Sequence, residues 1–262
     1  MMLTAGIVCS ATVNAQSTLP VQAPANAEGI IRCGQVQYEN YLRTQDPMYD
    51  VKKEEVMRIV AAKEKKVEAK TNGTPQPAAQ YTIPIVVHVV WNTSAQNVTD
   101  AKINSMIAQM NMDWARTNTD AGNTPSVWQP PVAANMEIQF CLATTDPSGN
   151  PTNGISRKNT STTSFSTNDN MKQNATGGDA PWNVNNYLNI WICNLSGRIL
   201  GFANFPPIST YYGTVVHYIT VGSLTNPAGG SFGYGRTLSH EIGHNFTLNH
   251  IWDGGCPAVE MV

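Results

Sequence analysis

The spacing of apolar and polar residues changes near residue 80. Residues 50–70, DVKKEEVMRIVAAKEKKVEAK, are helix formers with dense mixed charge and thin apolar spacing at Val56, Ile59 and Val60, which predicts a solvated helix. Residues 71–80, TNGTPQPAAQ, bring Asn-Gly, two prolines and small polar side chains, so a linker follows. Beyond it, residues 83–91 (IPIVVHVVW) are apolar on both faces, as a central strand covered from both sides must be. Thr99 then offers a cap for a helix whose stripe is Ile103, Met106, Ile107 and Met110. In residues 136–143, Met136, Ile138, Phe140 and Leu142 alternate with Glu137, Gln139 and Cys141, the period of a half-buried strand. Strand, helix and strand in this order predict parallel pairing through a crossover.

Residues 144–182, rich in Thr, Asn, Ser and Gly, read as loop, and residues 187–195 and 214–221 as further strands. Between those two, ILGFANF at 199–205 is bounded by Gly197 and by Pro206-Pro207, which suits a short edge strand. The Gly-rich AGGSFGYG at 228–235 leads into a helix bearing His240.

A chain of 262 residues can bury one sizeable core with a smaller appended unit. Its net charge of -2 offers no broad positive field, so neither nucleic acid nor an anionic membrane is expected as a partner. The opening MMLTAGIVCSATVNAQ has a short apolar run followed by Val13-Asn14-Ala15, the spacing of a signal-peptide cleavage site, which predicts a signal over 1–15 and a secreted, extracellular protein. That run is too short to span a bilayer, and Val8 is large for the residue before a lipidated Cys9.

Three of the five histidines stand in SHEIGHNFTLNH, residues 239–250. His240 and His244 are four apart and share one helical face, about 6 Å apart along the axis, so both imidazoles can reach one ion. Glu241 points partly aside, which places its carboxylate beside the metal as a general base for a zinc-activated water. His250 lies beyond the reach of a regular helix, so the chain must turn to bring it back. Three neutral imidazoles leave one position open, as in catalytic rather than structural zinc sites. His88 and His217 lie in apolar strands and read as hydrogen-bonded core residues. Cys33, in Ile31-Arg32-Cys33-Gly34, offers a soft thiolate able to take the open position.

RTLSHEIGHNFTLNHIWDGGC resembles the active-site segment of the metzincin zinc endopeptidases, and within them the cytophagalysin branch of the pappalysins. The resemblance extends through residues 187–206 and 83–91 and so covers most of 81–262. It implies an α+β, metzincin-like zincin fold: a mixed five-stranded twisted sheet with a backing helix and an active-site helix. Residues 199–205 match the edge strand that runs antiparallel to bound substrate. The zinc ligands are then His240, His244 and His250, with Glu241 as catalytic base and proteins or peptides as substrates. Arg32-Cys33-Gly34 resembles a cysteine switch, making 16–80 a propeptide with its linker and 81–262 the N-terminal part of a catalytic domain. If the family's sheet order holds, the strand at 83–91 separates Cys141 from Cys193 beyond bridging distance, predicting two buried free thiols. Calcium is also implied after the third histidine, where Asp253 and Glu260 offer oxygens.

Two departures from the pattern bear on activity. The methionine turn and the subdomain that sets substrate preference are expected beyond Val262, and Cys256 resembles a family cysteine whose partner also lies downstream. At Thr247 the family places glycine or asparagine, because the helix ends there in a left-handed turn that a β-branched residue fits poorly. An inactive zinc-binding fragment or scaffold is therefore a rival reading. Another makes His250 incidental, with a distant glutamate as third ligand.

Overall fold

The computed structural model describes residues 29–71, 80–128 and 133–250. The predicted signal, Cys9, nearly all of the linker, and Asp253, Cys256 and Glu260 lie outside these described residues. Two helices open the described chain, α1 (Gln35–Gln45) and α2 (Tyr49–Thr71). There follow β1 (Tyr81–Trp91), α3 (Asp100–Trp114), β2 (Ile138–Leu142), β3 (Ile155–Asn159), β4 (Leu188–Cys193), β5 (Gly201–Ala203), β6 (Gly213–His217) and α4 (Arg236–Asn245).

The strands form one mixed sheet in the order β2, β1, β4, β6, β5, with β3 also on β1. Six strands therefore replace the expected five, yet they fill five positions. β2 pairs with Tyr81 through Ile85 of the long β1, and β3 with Val87 through Trp91. Because β4 already holds Ile85 through Val89 from the other side, β2 and β3 share one edge. β3, ISRKN, lies inside the stretch read as loop; it is polar and only half-buried, so it carries no hydrophobic period to detect. All pairings are parallel except β5 with β6, which is antiparallel.

Both faces of the sheet are covered, which is why β1 and β4 are almost wholly apolar. On one face Ile85, Val87, Ile190 and Val216 pack against Ile103, Met106 and Met110 of α3 and Leu238 and Ile242 of α4. Thr99 caps α3, its side chain accepting from the Lys102 amide at 3.4 Å. On the other face Val90, Trp191, Cys193, Phe202 and Val215 pack with Phe165, Met171 and Tyr38 of α1. The segment before the linker thus contributes to a core. α1 has no counterpart in the sequence expectations, although Tyr38, Tyr41 and Leu42 follow helical spacing.

Cys193 is buried and free; Cys141 is also free but exposed, against expectation. The cause is alternation: β2 is an edge strand with Phe140 turned inward, so Cys141 faces solvent. Cys141 pairs opposite Pro84 while Cys193 lies one residue past the register at Val89, so the two thiols are also displaced along the strands. His88 and His217 are core residues as expected. His88 bonds Asp179 at 2.8 Å and Asn189 at 2.9 Å, and His217 accepts from the Ile219 amide at 3.3 Å.

Ile190 sits at the centre of β4 with no solvent exposure. Ile190→Ala should cost about 2–5 kcal/mol through lost burial and a cavity the sheet cannot close, read as a lowered denaturation midpoint with unchanged slope.

Candidate metal centre

α4 lies beneath β5 and β6. Gly235, at φ 78°, turns the chain into it, and Leu238 and Ile242 fix its inner face. Its approach to the edge strand depends on Gly201: a Cβ there would stand 2.9 Å from Glu241 Cγ and 3.0 Å from both Thr237 Cγ2 and Val215 O. At the far end Asn245 ties α4 to the sheet. It accepts from Thr214 Oγ1 at 2.6 Å and donates to Asn204 O at 2.7 Å, and its own carbonyl accepts from Tyr212 Oη at 2.5 Å.

The helix ends in a left-handed turn at Thr247, φ 68°. The Leu248 amide reaches back to Gly243 O at 3.0 Å and the Thr247 amide to His244 O at 3.1 Å, the pair of bonds of a Schellman motif. The Leu248 side chain folds over Gly243. This reversal also presents Leu248 O to His244 Nδ1 at 2.7 Å, so His244 donates from Nδ1 and is left with Nε2 as its free lone pair. It brings His250 back as well: His240 Nε2 and His250 Nε2 are 3.2 Å apart, and the His244 and His250 ring centres 4.6 Å.

The fourth donor comes from far away in sequence. Cys33 Sγ lies 3.5 Å from His244 Nε2, and the donor atoms of Cys33, His240, His244 and His250 all fall within 4.8 Å of one another. A tetrahedron built on Zn–N of ~2.05 Å and Zn–S of ~2.3 Å has edges of about 3.3 and 3.6 Å. The donor set, three imidazoles and one thiol, suits zinc in chemistry as well as in spacing. Burial, then His240 and His250, lower His244 to about 3, so its imidazole is neutral at pH 7 as a ligand must be. The packed surroundings and His250 lower His240 to about 4, although its ring faces the open cleft.

Glu241 stands beside this cluster. It is fully buried, with Oε2 4.0 Å from His244 Nε2 and accepting from Cys33 Sγ at 3.4 Å. Burial pushes its carboxyl up to about 8, opposed by the Cys33 hydrogen bond. Oε1 has no hydrogen-bond partner among the described residues. The five residues singled out in the sequence, His240, Glu241, His244, His250 and Cys33, are therefore brought together.

What reaches the site from the N-terminal segment is a peptide lying along β5. The Ile31 amide donates to Arg198 O at 3.0 Å, the Leu200 amide to Ile31 O at 3.0 Å and the Gly34 amide to Gly201 O at 2.7 Å. Ile31 pairs with Ile199 in parallel sense. Glycine follows Cys33 because a Cβ at Gly34 would stand 2.8 Å from Ile199 Cγ2. The sequence reading missed Gln35 and Tyr38, which hold the next turn: Ala203 N donates to Gln35 Oε1 at 3.4 Å, and Tyr38 packs on Phe202 with ring centres 4.6 Å apart.

Residues 168–260 match the family described as pregnancy-associated plasma protein-A, the pappalysin peptidases. The chain is 30% identical over 209 residues to an extracellular metalloprotease of Pyricularia oryzae, covering 77% of this chain and 62% of that protein. It is 30% identical over 190 residues to another from Colletotrichum graminicola, covering 68% of this chain and 55% of that one. It thus spans less than two thirds of the length of either. Among solved structures, mature mirolysin of Tannerella forsythia in complex with a cleaved peptide aligns with TM-score 0.63 and 46% identity, over 67% of this chain and 66% of that one. A variant of Tannerella forsythia promirolysin aligns with TM-score 0.66 and 40% identity, over 84% of this chain and 70% of that one.

The turn at Thr247 carries a measurable strain. Thr247→Gly should raise stability by about 0.5–1 kcal/mol, the left-handed penalty of a β-branched residue less the entropy of glycine. Thermal denaturation of the two proteins under identical metal loading checks it; a lower midpoint for the glycine variant would contradict it.

Proposed function

Because the chain belongs to the pappalysin peptidases, we propose that it is a secreted, extracellular zinc endopeptidase, hydrolysing peptide bonds in proteins and made as a zymogen. In this reading residues 16–80 form the propiece and 81–262 belong to the catalytic domain. The observation that carries it is the convergence of His240, His244, His250 and Cys33 within 4.8 Å, with the Glu241 carboxylate buried against them. The metalloprotease relatives are named extracellular, and no helix among the described residues is long and apolar enough to cross a membrane.

His240, His244 and His250 would hold zinc, which when bound supplies Lewis-acid polarisation of a scissile carbonyl and of water. A substrate strand docks on β5 through main-chain groups now used by the propiece: Arg198 O, Leu200 N, Gly201 O and Ala203 N. Glu241 takes a proton from the attacking water on its carboxylate and returns it to the leaving amine nitrogen. Its burial raises its proton affinity, and the positive charge of the metal would oppose that rise. While the propiece is attached, Cys33 fills the position open to water, and residues 31–34 cover the strand edge a substrate needs. The propiece lies parallel to β5 there, the reverse of the direction expected for substrate.

After proteolytic release of the propiece, Glu241→Gln should keep about one zinc by elemental analysis and lose some 10²–10⁴-fold in peptide hydrolysis against the parent treated alike. Undiminished casein cleavage by that variant, or no stoichiometric zinc in the parent, would remove the reading. Latency has a separate test: Cys33→Ala should hydrolyse a fluorogenic peptide before any processing, at least tenfold faster than the unprocessed parent. Equal rates would show that the thiol does not hold the enzyme silent.

A further inference from the structure

Tyr38 of the propiece has no solvent exposure, and its hydroxyl ends in a polar pocket built by later segments of the chain. Tyr38 Oη donates to Asp169 Oδ1 at 2.7 Å and accepts from Asn204 Nδ2 at 2.8 Å and Lys172 Nζ at 3.0 Å. Lys172 is also completely buried. Besides the phenol, its ammonium has three acceptors: Asp169 Oδ1 at 3.0 Å, Asn204 Oδ1 at 2.9 Å and Tyr211 O at 2.9 Å. An ammonium has three hydrogens. Lys172 therefore stays satisfied when Tyr38 leaves, and the pocket does not demand an anion.

Removing Tyr38 vacates one acceptor, Asp169 Oδ1, and one donor, Asn204 Nδ2, facing the same point. A group that both donates and accepts there is a hydroxyl; a carboxylate would repel Asp169, and an ammonium would face Asn204 Nδ2 and Lys172. The walls select for size and shape. Phe202 meets the ring with centres 4.6 Å apart, Lys172 Nζ lies 4.8 Å from its centroid, and Met171 and Trp191 belong to the same buried cluster. Serine or threonine would leave this apolar shaft empty, and phenylalanine would leave Asn204 Nδ2 without its acceptor and Asp169 Oδ1 with Lys172 as its remaining donor. Phe202 is the middle residue of β5, so the shaft opens beside the edge where a peptide docks, on the face of the sheet away from Glu241. Asp169, Asn204 and Tyr211 also line a surface cleft beside α1.

We propose that this pocket is a tyrosine-recognition site: Tyr38 fills it while the propiece is bound, and a tyrosine side chain of a peptide substrate fills it afterwards. The proposal rests on the endopeptidase reading for its second half only.

Two measurements separate the parts. In the full chain, Tyr38→Ala empties the shaft, and p-cresol and toluene, alike except for the hydroxyl, are titrated into it by calorimetry. p-Cresol should bind at least tenfold more tightly than toluene and raise the melting temperature; equal affinities, or no binding of p-cresol, overturn the pocket's chemistry. The second measurement needs no substitution. The zinc-loaded chain, after proteolytic release of the propiece, is given paired peptides carrying Tyr or Phe at each position around the cleaved bond. One position should prefer Tyr at least tenfold in kcat/KM, and equality at every position overturns the substrate role. If no peptide is cleaved at all, the endopeptidase reading falls, while the cresol titration still decides what the pocket binds.

Discussion

The left-handed turn at Thr247 is the constraint on which the site depends. A straight continuation of α4 would carry His250 away from His240 and His244. The turn instead folds the chain back, and its geometry serves twice: it also aims the Leu248 carbonyl to accept a hydrogen bond from His244 Nδ1 at 2.7 Å. The tautomer of His244 and the position of His250 are thus set by a single backbone conformation. Threonine adopts φ 68° here because the surrounding bonds outweigh its strain: two amide bonds into the last turn, the Leu248 side chain over Gly243, and Asn245 locked to Thr214 and Asn204.

The edge strand is the second constraint, because it faces two ways. Gly201 lets α4 come close enough to bring Glu241 under β5, and Phe202 next to it faces the opposite side and holds Tyr38. The N-terminal segment grips both faces and the edge between them: Cys33 at the histidines, the backbone of residues 31–34 on β5, and Tyr38 at Lys172. Over residues 50–66, by contrast, α2 is largely exposed.

Legibility in the sequence followed how strongly each element depends on local pattern. β1, α3, β4 and α4 announced themselves because a buried strand must be apolar and a packed helix must repeat near 3.6 residues. β3 did not, since ISRKN is held by backbone pairing to β1 and by Ser156, which donates to Asp179 at 2.6 Å, not by a hydrophobic face. α1 did not because its buried side chains include Gln35 and Glu39, which read as surface residues until their partners are known. Of the site, the spacing of His240, Glu241 and His244 was readable because a helix places residues four apart on one face. Asn204 and Lys172 had no such signal, as they stand 32 residues apart and their shared partner Tyr38 lies 166 and 134 residues away.

By itself the sequence determined the secondary elements with regular burial, the donor chemistry of the histidine cluster, the carboxyl group beside it and the soft thiol at Cys33. These follow from residue type and short-range spacing, which the geometry of helix and strand converts directly into position. Only the tertiary structure decided that Cys33 meets His244 at 3.5 Å, that β2 and β3 share one edge of β1, and that Tyr38 closes a polar shaft behind β5. Those facts depend on contacts between segments more than a hundred residues apart or on which neighbour a strand edge accepts. Neither is written in any local period; both are settled when the buried polar groups find partners and the two faces of the sheet are filled.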